Sequence, residues 1–92
     1  MATDAIAQER REECRRSTLG FLAVRQATAH HPKTIRRALN AGHEHDFTDD
    51  EVTAALSFLL SAGFVTAIPD GLGATLYYRA TAAGVLAHER GP

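Results

Sequence analysis

A small, mainly helical α+β domain is the expected fold, and three features of the chain point to it. Ninety-two residues suffice for one core but not for two. Apolar residues recur at helical spacing in three separate stretches up to Ser61. After Gly63 the composition turns to β-formers around a Pro-Asp-Gly-Leu-Gly turn, which predicts a hairpin. The hydrophobic fraction of 45% and charged fraction of 23% fit an ordinary folded domain rather than a disordered chain. A single domain over residues 1–92 is expected, with residues 1–16 as a charged lead.

The first helix is expected from Asp4, as a capping residue, to about Ala27. Gln8 to Arg16 is almost wholly charged and reads as a solvated surface. Glu12 and Glu13 stand four and three residues before Arg16, the spacings at which opposite charges meet on a helix. Apolar contacts are expected in the C-terminal half, from Leu19, Phe21, Leu22 and Val24. The second helix starts at His31-Pro32, because proline suits the first helical position. Ile35, Ala38 and Leu39 form its inner side, and Gly42 is expected to end it. Thr48 with Glu51 makes a capping box for the third helix. Val52, Ala55, Leu56 and Leu59 form its buried stripe, and Gly63 stops it. Phe64–Ile68 and Ala74–Arg79 are the two strands. Thr81 caps a last helix, Ala82 to about Glu89, packed through Val85 and Leu86.

Composition narrows function. Net charge is −1, with 10 Lys and Arg against 11 Asp and Glu, so no global attraction to nucleic acid or membrane is expected. The charge is uneven, however. Eight of the ten basic residues lie between Arg10 and Arg37, and five acidic residues crowd between Glu44 and Glu51. The single cysteine, Cys14, excludes an internal disulfide and a multi-cysteine zinc site. No basic start followed by an apolar run opens the chain, and no apolar stretch nears 18 residues. A cytoplasmic location is therefore expected. His43-Glu44-His45-Asp46 groups metal-capable residues in a loop, but His-x-His alone does not complete a tetrahedral site. The glycine-rich turn joins strands and leads into no helix, so it is not a phosphate loop. No Ser-His-Asp or Cys-His arrangement can be read. No enzyme, cofactor or small-molecule substrate is expected.

The succession of helices followed by a hairpin and a short helix carries two further motifs. Phe58-Leu59-Leu60-Ser61-Ala62-Gly63-Phe64-Val65 resembles the L-x-x-x-G-hydrophobic-hydrophobic exit from a winged-helix recognition helix. Tyr78-Arg79-Ala80-Thr81-Ala82-Ala83-Gly84 resembles the Y-x-L-T-x-x-G passage from wing to final helix, with Ala80 in place of the usual leucine. The chain thus resembles the winged helix-turn-helix family over about Arg15 to Arg90. In layout it is most similar to small proteins of Mu-like phages and prophages.

The resemblance implies duplex DNA as partner, the third helix entering the major groove, and a regulator of transcription that binds as a dimer. At 100° per residue the outward set of the third helix is Asp50, Thr53, Ala54, Ser57, Phe58 and Ser61. Thr53, Ser57 and Ser61 are the candidate base contacts. Lys33, Arg36, Arg37 and Arg79 are the candidate phosphate contacts. The outward set lacks Arg, Lys, Asn and Gln, and its acidic start would repel phosphates, so it is a weak reader. The alternative is a protein-interaction module without DNA binding, in which the long first helix, with Cys14 and Phe21, and the last helix form a homodimer seam, and the outward Phe58 is a further interface residue.

Overall fold

The computed structural model describes residues 2–91. Its elements are α1 (Ala2–Val24), α2 (Pro32–Asn40), α3 (Asp49–Ser61), β1 (Val65–Pro69), β2 (Leu76–Ala80) and α4 (Ala82–Arg90). The result is a small α+β domain with four helices and one antiparallel hairpin.

Local rules account for most boundaries. Thr48 Oγ1 accepts from Glu51 N, and the Glu51 carboxylate accepts from Thr48 N, so both halves of the capping box form. At the other end, Gly63 takes φ +81, a conformation that L side chains avoid, and the chain leaves for β1. His31 caps α2 through Nδ1, which accepts from Lys33 N, and Pro32 follows at the first helical position. Thr81 caps α4 by accepting from Gly84 N.

Several expectations need correction. Val24 is 70% exposed and Ala38 is exposed, so α1 packs through Leu19, Leu22 and Ala23 and α2 through Ile35 and Leu39. α1 already runs at Ala2, so Asp4 lies in its first turn rather than at its cap. There its charge faces the positive end of the helix dipole. α1 ends at Val24, before a short turn held by Arg25 N donating to Leu22 O. Beyond α2 the left-handed residue is His43, with φ 61, and not Gly42. On α4 Leu86 is exposed, whereas Val85 and Ala87 pack on the core. Inward positions of a nine-residue helix are set by its docking angle, which its own short pattern does not specify.

β1 and β2 pair as neighbours, Val65 opposite Ala80 and Ile68 opposite Tyr77. The strands are displaced by a residue or two from the expected spans. His30, between α1 and α2, adds an isolated bridge: its N donates to Tyr78 O at 2.8 Å, and Tyr78 N donates to His30 O at 2.9 Å. This ties the entry to α2 onto the outer side of β2.

One core holds these pieces together. Leu22, Ile35, Val52, Leu56 and Leu59 are essentially dry, with Leu19, Ala23, Phe47, Ala55, Val65 and Ala80 around them. Each large aliphatic there contributes about 1.5–3 kcal/mol relative to exposure. Two glycines permit close helix packing. A Cβ on Gly84 would stand 1.9 Å from Phe64 O, so α4 could not sit against the start of the hairpin with any other residue there. A Cβ on Gly20 would stand 3.2 Å from His88 Cε1, where α4 crosses α1.

Candidate nucleic-acid interface

The outward face of α3 is as the helical spacing predicts. Asp50, Thr53, Ala54, Ser57, Phe58 and Ser61 are all exposed, and the Val52–Leu59 stripe is inside. Leu60 is also exposed. Thr53, Ser57 and Ser61 offer short hydroxyls, which can hydrogen-bond but lack the bidentate reach of Arg, Asn or Gln.

The acidic start of α3 is less repulsive than its composition implies. Arg36 pairs with Asp49. Arg10 donates through Nε and Nη2 to the Glu51 carboxylate, and its Nη2 also lies 3.0 Å from Asp46 Oδ1. The Arg10 guanidinium holds the Glu51 carboxyl down at about 2, against the opposing effect of partial burial. Of the three carboxylates at this end, Asp50 alone has no ion-pair partner among the described residues.

The same pairing removes a candidate cation. Arg36 is expected beside Lys33 and Arg37 as a phosphate contact, but its guanidinium is engaged by Asp49. Lys33, Arg37 and Arg79 remain exposed and form no ion pair among the described residues. Lys33 and Arg37 stand four residues apart, on one side of α2. The His30 bridge places β2 beside the start of that helix, and the His31 ring meets the Tyr77 ring edge-on at 5.7 Å. Strand alternation puts Arg79 on the Tyr77 side of the hairpin. Lys33 and Arg37 thus share one side of α2, Arg79 lies on the Tyr77 side of the hairpin, and Arg36 is turned toward α3.

The three expected interface residues have different fates. Cys14 is 2% exposed and lies in the chain's own core against α3, its Sγ 3.6 Å from Glu51 O, so it offers nothing to a second copy. Burial pushes its thiol up, away from the reactive thiolate. Phe21 is half-buried, with the Arg25 guanidinium 4.1 Å from its centroid and the His30 ring edge-on at 5.0 Å. It packs within the chain instead of facing outward. Phe58 keeps 45% exposure, with the Arg15 guanidinium 3.8 Å from its centroid.

In the loop before α3, the metal-capable side chains do not converge. His45 stacks on Phe47 at 4.7 Å, and among the described residues no three His, Cys, Asp or Glu side chains gather. The hairpin tip presents Leu72 at 93% exposure and no cation. Asp70 Oδ1 accepts from Leu72 N and Ala74 N, which spends its carboxylate on the turn. No helix among the described residues is long and apolar enough to cross a membrane.

Sequence reasoning passed over Arg10, Asn40 and Phe47. Asn40 clamps the Phe47 backbone in both directions, with Nδ2 donating to O and Oδ1 accepting from N. That clamp sets the loop that delivers Phe47 to the core. A local signal existed: Phe47 directly precedes the Thr48 cap and Val52 is the fourth residue of α3, the positions of a hydrophobic staple. No family model, curated protein or solved structure matches the chain.

Proposed function

We propose that the chain is a winged-helix module that binds duplex DNA, as a transcriptional regulator of the phage and prophage type. The supporting observation is where the two resembling motifs meet. Thr81 N and Oγ1 donate to Phe64 O and Gly63 O, and Gly84 lies flat against Phe64. The exit from α3 and the passage from hairpin to α4 therefore interlock through the very residues that define both motifs. The His30 bridge ties the segment ahead of the α2–α3 pair to β2.

In this reading Lys33 and Arg37 on α2 and Arg79 on the hairpin hold phosphates, and Thr53, Ser57 and Ser61 lie toward the groove. Binding is dominated by the backbone and discriminates sequence weakly, because the hydroxyl face has no long donors. Salt-dependent affinity for a duplex is the test. Three phosphate contacts give a slope of log K against log salt of about −3, and Lys33→Ala or Arg79→Ala each reduce it by about one. A flat salt response removes the proposal. The second reading, a protein-interaction module without DNA binding, rests on exposed Phe58 and Leu60, and it is the one left standing if no salt-dependent binding is found.

A further inference from the structure

The α1 side of α3 carries an unfinished surface. Between the two helices opens a cavity of about 220 Å³, walled by Arg11 and Arg15 from α1 and by Asp50 and Ala54 from α3, with Cys14 and Ala55 behind. Phe58 continues this apolar strip one turn beyond Ala54 and is still 45% exposed beneath Arg15. The charges on the two walls are opposite and unspent. Asp46 and Glu51 are taken up by Arg10, Glu13 by Arg16 and Asp49 by Arg36, yet among the described residues neither Arg11 nor Asp50 forms an ion pair. Arg11 donates only to Gln8 Oε1 on its own helix.

An apolar strip with a cationic wall on one side and an anionic corner on the other is complementary to itself. Under a two-fold rotation about the length of the strip each wall meets its opposite, so that Arg11 faces Asp50 twice. A partner of single sign would satisfy one wall and confront the other. We infer that two copies of this chain pair through the α1–α3 edge, with the Phe58 rings near the axis and Arg11 of each copy facing Asp50 of the other. Arg15 stays stacked on Phe58, which holds both side chains ready at little entropic cost. At 100° per residue Ser61 falls between Asp50 and Ala54, so the pairing covers Ser61 and borders Ser57, while Lys33, Arg37, Arg79 and Thr53 stay outside the seam. It rests on its own observations and does not depend on the DNA reading.

Sedimentation equilibrium of the whole chain without DNA, from micromolar to millimolar concentration, tests this. The expected mass is twice the 9.9 kDa of one chain. Asp50→Arg and Arg11→Asp each set like charges face to face and are expected to weaken the dimer about tenfold or more. Mixing the two variants in equal amounts restores pairing, because both contacts across the axis then join opposite charges. Phe58→Glu abolishes pairing while circular dichroism stays unchanged. Three outcomes overturn the inference: a monomer at every concentration, a dimer indifferent to all three substitutions, or a mixture that pairs no better than its components. The DNA reading is tested separately by the salt slope and by Lys33→Ala, so either proposal can fail alone.

Discussion

α3 meets its two neighbours in opposite ways. Toward α2 the contact is closed: Ile35 is fully buried, Asn40 holds Phe47 in place, and Arg36 and Asp49 satisfy one another. Toward α1 the base is equally closed, by Cys14, Leu22 and Ala55, but the rim is not. Arg10 is clamped on Glu51, whereas Arg11 and Asp50 beside them and Phe58, two turns further along α3, keep their capacity for contact. Charges that find partners within the chain take themselves out of recognition. Those that do not are where a second molecule has something to gain. On this domain the distinction matters more than the total of charged residues, because the net charge of the whole chain is only −1.

The largest expected effect tests whether one rigid helix carries both edges. Leu56, 1% exposed, lies at the centre of the buried stripe. Leu56→Ala is expected to cost about 2–5 kcal/mol in urea unfolding, through lost burial and the cavity left behind. A loss under about 1 kcal/mol would mean that the core collapses around the gap and that the edges can shift independently.

A smaller effect separates the clamped part of the α1 edge from its open part. The Glu51 carboxyl is lowered from 4.5 to about 2, chiefly by its hydrogen bonds from Arg10. A carboxyl lowered by folding adds stability that is complete above its unfolded value and is lost as pH falls toward the folded one. Unfolding midpoints should therefore drop between pH 4.5 and about 2. Glu51→Gln flattens most of that fall. Some remains, because Glu13 is also lowered, first by its hydrogen bond from Arg16. An unchanged acid profile in Glu51→Gln would show that the clamp does not hold in solution.

The smallest effect concerns the α2 edge. Arg36→Ala is expected to change stability by about 0.5 kcal/mol or less, since the pair with Asp49 is largely exposed. The same substitution should leave the salt slope of DNA binding unchanged, because Arg36 is already engaged. A loss above about 1 kcal/mol would make the ion pair, rather than Ile35, what seals this edge.

Much of this molecule is written locally. The capping box at Thr48, the glycine exit at Gly63, the Thr81 cap and the outward set of α3 follow from residues within four positions of one another, which is the range over which backbone hydrogen bonds and helical spacing act. The hairpin follows for the same reason, from β-formers on either side of a turn. What the chain alone did not disclose lies beyond that range. Arg10 reaches Glu51 across 41 positions and Arg36 reaches Asp49 across 13. Cys14, set among charges, is buried because α3 covers it. Phe21 is half-covered by Arg25 and His30, and Leu86 faces out because of how α4 lies on α1 and the hairpin. Pattern and propensity settle which residues share a face. Which faces become covered, and which charges remain unpaired, is decided only when distant segments pack, because burial and ion pairing belong to the neighbours that packing supplies.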